Sequence, residues 1–166
     1  MPDTDERDGA LREHVLYLLR GGGAHISFDD AVKDFPAALF NGRVAGVPYT
    51  PWRVIEHMRI AQRDILEFSR DSSHVSPDWP EGYWPPDDAR ADSKAWNRTA
   101  ESFRRDLEAM CALVADASND LYARIPHGTG QTLLREALLV ADHNAYHLGV
   151  LVALRRALEA PAGEKQ

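Results

Sequence analysis

Apolar residues recur at intervals of three, four and seven positions through most of the chain, and this is the period of amphipathic α-helices. The first run stops at three consecutive glycines, Gly21-Gly22-Gly23, which favour the end of a helix. The second run opens with Thr50-Pro51, a helix-capping residue followed by a proline suited to the first helical position. The pattern therefore predicts four long helices, over residues 8–20, Pro51 to about Arg70, Asp88 or Asp92 to Ala117, and Thr129 or Gln131 to about Leu158.

Two of the connections between these helices are long, and a short helical insert is also predicted. Ser27, followed by Phe28 and two aspartates, predicts an N-cap and one or two helical turns over residues 28–40, interrupted at Pro36. No segment alternates apolar and polar residues with a period of two, and no internal repeat is present. We therefore predict an all-α fold, a four-helix bundle with long crossover connections, as a single domain over residues 1–166.

Residues 71–92 combine four prolines with the aromatic residues Trp79, Tyr83 and Trp84. The prolines are too frequent for a helix, and the aromatic rings are too frequent for a disordered linker. This segment is therefore predicted to be an ordered crossover loop. Its aromatic residues either pack over one end of the bundle or wall a substrate pocket, and the sequence leaves both interpretations open.

Charge and cysteine content narrow the class of protein. The formal net charge is −7, from 19 basic and 26 acidic residues, and basic residues do not cluster, so nucleic-acid binding is not predicted. Cys111 is the single cysteine, which excludes an intrachain disulfide, and its place in the apolar pattern predicts a core residue. The chain shows neither the apolar run of a secretory signal nor a stretch that reads as a membrane span, so a cytoplasmic protein is expected.

The candidate metal-binding residues are histidines. His143 and His147 are four residues apart on a predicted helix, so their side chains share one face and can grip one ion. His57 lies on or beside the apolar stripe of the second long helix, where an ordinary packed histidine is the alternative. His14, beside the stripe of the first helix, is a weaker possibility as a fourth ligand. The remaining histidines, His25, His74 and His127, fall in predicted loops and are assigned to the surface.

Three neutral imidazoles suit zinc, nickel, copper or iron, and three protein ligands plus solvent are typical of an open, reactive site. Glu56 and Asp142 adjoin proposed ligands in sequence and are candidates to orient them. On a helix, however, adjacent side chains point about 100° apart, so either carboxylate can equally face solvent.

Two motifs carry a resemblance to a known family. Trp52 precedes His57 by five positions, and residues 142–149 read Asp-His-Asn-Ala-Tyr-His-Leu-Gly. Together with residues 21–25, 60–68 and 79–85, these motifs resemble the DinB superfamily, in particular bacterial members described as DinB-like or YfiT-like metal-dependent hydrolases. The resemblance covers nearly the whole chain. One departure is Val150, because relatives often carry a polar residue, commonly glutamine, at that position.

The resemblance implies a four-helix bundle, often a homodimer, with a divalent metal, zinc or nickel, held by His57, His143 and His147. Relatives include S-transferases that use low-molecular-weight thiols and a mycothiol-dependent isomerase, so a metal-dependent transferase or hydrolase of a small molecule is the expected function. Two alternatives stay open. One is a non-catalytic bundle that binds a metal or a small ligand in stress response or detoxification, and the other is a dimeric scaffold with merely packed histidines.

Overall fold

The computed structural model describes residues 4–160 of the chain, and helices account for most of them. The predicted domain of residues 1–166 also includes residues 1–3 and 161–166, which lie outside this range. Within it, β-structure is limited to one isolated bridge between Arg124 and Thr132, which confirms the all-α class. The α-helices are α1 (Thr4–Leu19), α2 (Phe28–Val32), α3 (Pro51–Arg70), α4 (Ser93–Ala115) and α5 (Leu133–Glu159), with single 3-10 turns at Ala37–Leu39 and Glu81–Tyr83.

Capping side chains decide where the long helices begin. The Thr50 hydroxyl accepts a hydrogen bond from the backbone N–H of Arg53, so α3 starts at the predicted proline. Asp92 caps α4, which selects the later of the two predicted starts. The start of α5 was predicted slightly too early, because Thr132 is its cap and Gln131 is engaged in the preceding turn.

The four long helices form a ring around two apolar clusters. Helix α3 packs along both α4 and α5, and α1 packs against the same two helices from the other side. One cluster, around Phe103, lies at the end of the bundle that α2 covers, and the other, around Met110, lies beneath α1. Cys111 is buried in the second cluster, as predicted, and burial raises the pKa of its thiol. This packing places the faces of α3 and α5 against each other along their length.

A buried arginine fastens α1 to the end of α4. Arg12 is only 7% exposed, and its guanidinium donates hydrogen bonds to the backbone carbonyls of Val114, Asp116 and Asn119. These carbonyls belong to the last turn of α4 and the turn after it, where a helix leaves acceptors without partners. Asp8, one turn earlier on α1, pairs with the same guanidinium. This role could not be predicted from the sequence, since an arginine on an amphipathic helix is expected at the surface.

Helix α5 is the one helix within residues 4–160 that is long and apolar enough to cross a membrane, judged by length and composition alone. The core helix of a water-exposed bundle passes the same test, and α5 packs against α1, α2, α3 and α4. Of its most apolar window, 39% is buried among the described residues, so contacts within the fold cover part of its apolar surface.

Candidate metal centre

Three histidine side chains from two helices meet at one point. His57 lies in the second turn of α3, and His143 and His147 lie one turn apart on α5. Nε2 of His57 is 3.0 Å from Nε2 of His143 and 3.1 Å from Nε2 of His147. Each histidine of this group offers one ligand atom, and these atoms all lie within 4.8 Å of one another, an arrangement that can hold a metal ion. The packing of α3 on α5 thus brings together the three histidines that the sequence singled out.

His57 is held in one orientation by the loop that follows α3. Its Nδ1 is 2.8 Å from the backbone carbonyl oxygen of Tyr83. A carbonyl only accepts hydrogen bonds, so in the neutral ring Nδ1 carries the proton and Nε2 presents a lone pair to the other two histidines. The indole of Trp84 lies flat against the imidazole, with ring centroids 3.8 Å apart and an interplanar angle of 3°. The ring therefore has little freedom to rotate.

The convergence of these nitrogens suits a cation better than it suits three imidazoles alone. One lone pair on Nε2 of His57 accepts one good hydrogen bond and cannot satisfy both facing nitrogens. The nitrogen ligands of a tetrahedral zinc ion, each about 2.0–2.1 Å from the metal, lie about 3.3 Å from one another, close to the separations found here. Three histidine ligands would leave one position open, as in catalytic zinc sites. The residues present therefore fit a divalent metal.

Burial keeps the three histidines uncharged, which is the form that binds metal ions. Burial, together with charge repulsion from His143 and His57, lowers the pKa of His147 to about 3. The pKa of His143 falls to about 4, again mainly through burial. Burial also lowers the pKa of His57, against the opposing effect of its hydrogen bond to Tyr83. At neutral pH no proton has to leave these rings before a metal binds.

These shifts predict how the stability of the chelator-treated protein depends on pH. Because the pKa values of His143 and His147 are lower in the folded state than the ordinary 6.5, the unfolded chain binds more protons below that pH. We therefore expect the free energy of unfolding to fall as the pH is lowered from 7.5 to 5 in urea titrations. The double variant His143→Gln/His147→Gln is the control, and its free energy of unfolding should fall less over the same pH range. An equal fall in both proteins would contradict the lowered pKa values of these two histidines.

The aromatic loop contacts the histidine cluster through Trp84 and Tyr83, so part of it packs beside the candidate metal site. Trp84 lies between His57 and Tyr49, and it stacks on the Tyr49 ring with centroids 4.2 Å apart. Trp79 is 76% exposed and meets the ring of Tyr83 edge-on. Trp84 thus walls the cluster, Tyr83 supports it through a backbone carbonyl, and Trp79 lies at the surface.

The other histidines do not join the cluster. His14 is exposed on α1, so the weaker prediction of a fourth ligand there is not supported, because the buried side of α1 is formed by Arg12, Val15 and Leu19. His25 and His127 are exposed, as predicted. His74 differs from the surface assignment, since its side chain is only 19% exposed and its Nε2 is 2.7 Å from a carboxylate oxygen of Asp64.

Neither adjacent carboxylate touches a histidine of the cluster. Asp142 is exposed, and it acts on His143 only through its charge, which raises the pKa of that ring slightly against the larger effect of burial. Glu56 is bound by the guanidinium of Arg59 at 2.7 Å and by the hydroxyl of Thr99 at 2.6 Å. The contacts of these two carboxylates therefore favour the solvent-facing and structural alternatives over an orienting role.

A buried pair of amide side chains, Gln62 and Asn144, lies beside the histidine cluster and was not predicted from the sequence. Gln62 is 1% exposed, and its Nε2 donates to the backbone carbonyl of Phe103 at 2.7 Å. Its Oε1 accepts a hydrogen bond of 2.9 Å from Nδ2 of Asn144, the neighbour of His143. The pair links α3, α4 and α5 next to the histidines. The available signal was a glutamine inside the apolar stripe of a helix, where a buried polar group needs a partner.

A cavity of about 320 Å³ lies elsewhere, between the end of α1, α2, α4 and α5. Phe103, Leu107 and Leu148 supply apolar walls, and Asn144 also lines it. None of the three clustered histidines contributes to its surface. The histidine cluster and this cavity are therefore separate features of the fold.

Comparisons with known proteins agree with the motif resemblance. A family model described as the DinB superfamily matches residues 26–151, which is more than half of the chain. The matched range contains His57, His143 and His147. No curated protein and no solved structure matches the chain.

Proposed function

The chain belongs to the DinB superfamily, and on that premise we propose that it binds one divalent metal ion and uses it to transform a small molecule. His57, His143 and His147 would hold the ion, with zinc or nickel as the expected metals. The reaction would be a transfer or a hydrolysis, with a low-molecular-weight thiol as a candidate co-substrate.

The observation that carries this proposal is the meeting of three Nε2 atoms at separations of 3.0 and 3.1 Å from His57. A structural role for three packed histidines does not require their nitrogens to face one another. Buried imidazoles normally pair with other polar groups, whereas these nitrogens have chiefly each other. A shared cation removes that conflict, because it accepts a lone pair from each ring.

When bound, such an ion supplies Lewis acidity, which lowers the pKa of a thiol or a water molecule at its open position. The protein contributes orientation and exclusion of solvent. The Tyr83 carbonyl fixes the proton of His57 on Nδ1, and Trp84 covers one face of that ring. His147 is 7% exposed, so one side of the cluster is closed by the bundle itself. His143 is only partly buried, and on that ground we propose that a substrate approaches from its side.

A non-catalytic metal- or ligand-binding bundle is the competing function, and one experiment separates the two. Protein purified without added chelator or metal is analysed by emission spectrometry, then assayed with a panel of thiols and small electrophiles before and after chelation and reloading. We expect about one divalent ion per chain and turnover that disappears with the metal. Bound metal without metal-dependent turnover would favour the non-catalytic bundle, and absence of any metal affinity would contradict the site.

Three further expectations stay predictions, and the first of them rests on the family resemblance. A homodimer is proposed, and sedimentation velocity at working concentrations tests it, with a strict monomer as the contrary result. Nucleic-acid binding is not expected from the charge of −7, and a salt-dependent affinity for duplex DNA would contradict this. A cytoplasmic location likewise stays a prediction.

A further inference from the structure

Tyr83 is attached to α3 at two points. Its backbone carbonyl accepts the hydrogen bond from Nδ1 of His57 at 2.8 Å, and its phenol donates to Oδ2 of Asp64 at 2.6 Å. His57 and Asp64 are seven positions apart on α3, which is almost two full turns, so both side chains lie on one face of the helix. Tyr83 therefore contacts α3 at two points that are about two turns apart along the helix axis.

Asp64 is itself held in place. Its second oxygen, Oδ1, is 2.7 Å from Nε2 of His74, which lies at the start of the same loop. The side chains of Asp64 and His74 are 12% and 19% exposed, so this pairing is largely shielded from water. Burial and the bond to Asp64 raise the pKa of Tyr83 to about 12, so the phenol stays protonated and remains a donor. The loop is thereby fixed at His74 and at Tyr83, on either side of Pro77 and Pro80.

We propose that Tyr83 is a positioning residue for the metal centre, and that Asp64, held by His74, sets the affinity for metal by fixing Tyr83. This inference rests on the proposed function of the histidine cluster. The Tyr83 carbonyl is the acceptor that selects the tautomer of His57 with a lone pair on Nε2. Tyr83 connects Asp64 to His57, because it contacts His57 with its backbone and Asp64 with its side chain.

The main alternative is that the phenol merely anchors the loop for stability. The two roles differ in what the phenol hydroxyl affects. An anchor contributes to the free energy of unfolding, whereas a positioning residue also changes the tautomer of His57 and the affinity for metal. Groups that orient metal-binding histidines typically change metal affinity by about 10–100-fold when removed.

The test uses Zn²⁺ alone as the probe, in competition with a chromophoric chelator. Tyr83→Phe removes only the hydroxyl, and we expect Zn²⁺ affinity about tenfold weaker than in the unmodified protein. Asp64→Ala should produce a similar loss. The double variant should be no weaker than either single variant, since both changes break the same contact. Tyr122→Phe, at a tyrosine 65% exposed, is the matched control and should bind Zn²⁺ normally.

A second measurement does not involve metal. Long-range proton–nitrogen NMR spectra of the chelator-treated protein report which ring nitrogen of His57 carries the proton. We expect Nδ1 to be protonated in the unmodified protein and a mixture of tautomers in Tyr83→Phe. Asp64→Asn keeps an oxygen that accepts from the phenol, so it should restore both the tautomer and the affinity relative to Asp64→Ala.

The outcomes separate this inference from the proposed function. If the unmodified protein binds no Zn²⁺, the proposed function fails. If it binds Zn²⁺ and Tyr83→Phe and Asp64→Ala bind it equally well with an unchanged His57 tautomer, the positioning role is wrong. Losses that multiply in the double variant would show two independent effects and would also overturn it.

Discussion

Replacement of His147 by alanine is expected to abolish stoichiometric metal binding. Its Nε2 is 3.1 Å from Nε2 of His57, and the side chain is buried. The alanine variant therefore lacks one of the three nitrogen ligands and has a cavity in place of the imidazole. Structural zinc sites with four ligands bind with about 10–16 kcal/mol, or roughly 3 kcal/mol per ligand, so loss of one ligand should weaken affinity by at least about 100-fold. Emission spectrometry and Zn²⁺ competition measure this loss.

His25→Ala and His14→Ala are the matched controls, because both histidines are exposed and lie outside the cluster. Each should retain the metal content of the unmodified protein. Circular dichroism verifies that His147→Ala keeps its helices, since α5 extends two turns or more to either side of the substitution. An unchanged metal content in a folded His147→Ala protein would show that the ion, if any, is bound elsewhere.

Replacement of Arg12 by alanine is expected to cost about 3 kcal/mol of unfolding free energy. The substitution leaves the carbonyls of Val114, Asp116 and Asn119 without their charged donor, and the first of these contacts is fully buried. Hydrogen bonds to charged groups contribute about 1.5–3 kcal/mol each, but the carbonyls near the surface regain water, so their values do not add in full. Urea denaturation should show a lower midpoint with an unchanged slope.

Arg98→Ala provides the comparison, since Arg98 is an exposed arginine on α4. Its effect should stay within about 0.5 kcal/mol, as for most surface substitutions. The loss of unfolding free energy in Arg12→Lys should lie between those of Arg12→Ala and Arg98→Ala. An ammonium group lacks the planar set of donors with which a guanidinium contacts three carbonyls. Equal midpoints for Arg12→Ala and Arg98→Ala would contradict the capping role.

Local sequence rules predict the helices of this protein well because their ends are set by short-range contacts. Thr50 and Pro51 define the start of α3 without reference to the rest of the chain. The start of α5 was misplaced because Gln131 accepts from Thr129 and so belongs to a turn. Thr129 and Thr132 both carry a hydroxyl that can cap a helix, and only the three-dimensional path of the loop chooses between them.

The pair His143 and His147 was also accessible from sequence, since side-chain identity and helical spacing are both local properties, whereas His57 joined the pair through the family resemblance. The supporting contacts were not accessible from sequence. Tyr83 contacts His57 through a backbone carbonyl, which every residue possesses, so the identity of the residue does not indicate this contact. Gln62 and Asn144 form a pair 82 positions apart, and Arg12 meets Val114 across 102 positions. Such partners become visible only when the helices are placed side by side.

The distance along the chain between the clustered histidines has a thermodynamic consequence. His57 and His143 are 86 positions apart, so their nitrogens meet only after α3 and α5 have packed. The unfolded chain therefore lacks the site, and an ion that binds the folded form shifts the folding equilibrium by mass action. At a free metal concentration 100 times the dissociation constant this amounts to about 2.7 kcal/mol. Metal supply in the surrounding medium would then govern how long the protein survives heat and proteases.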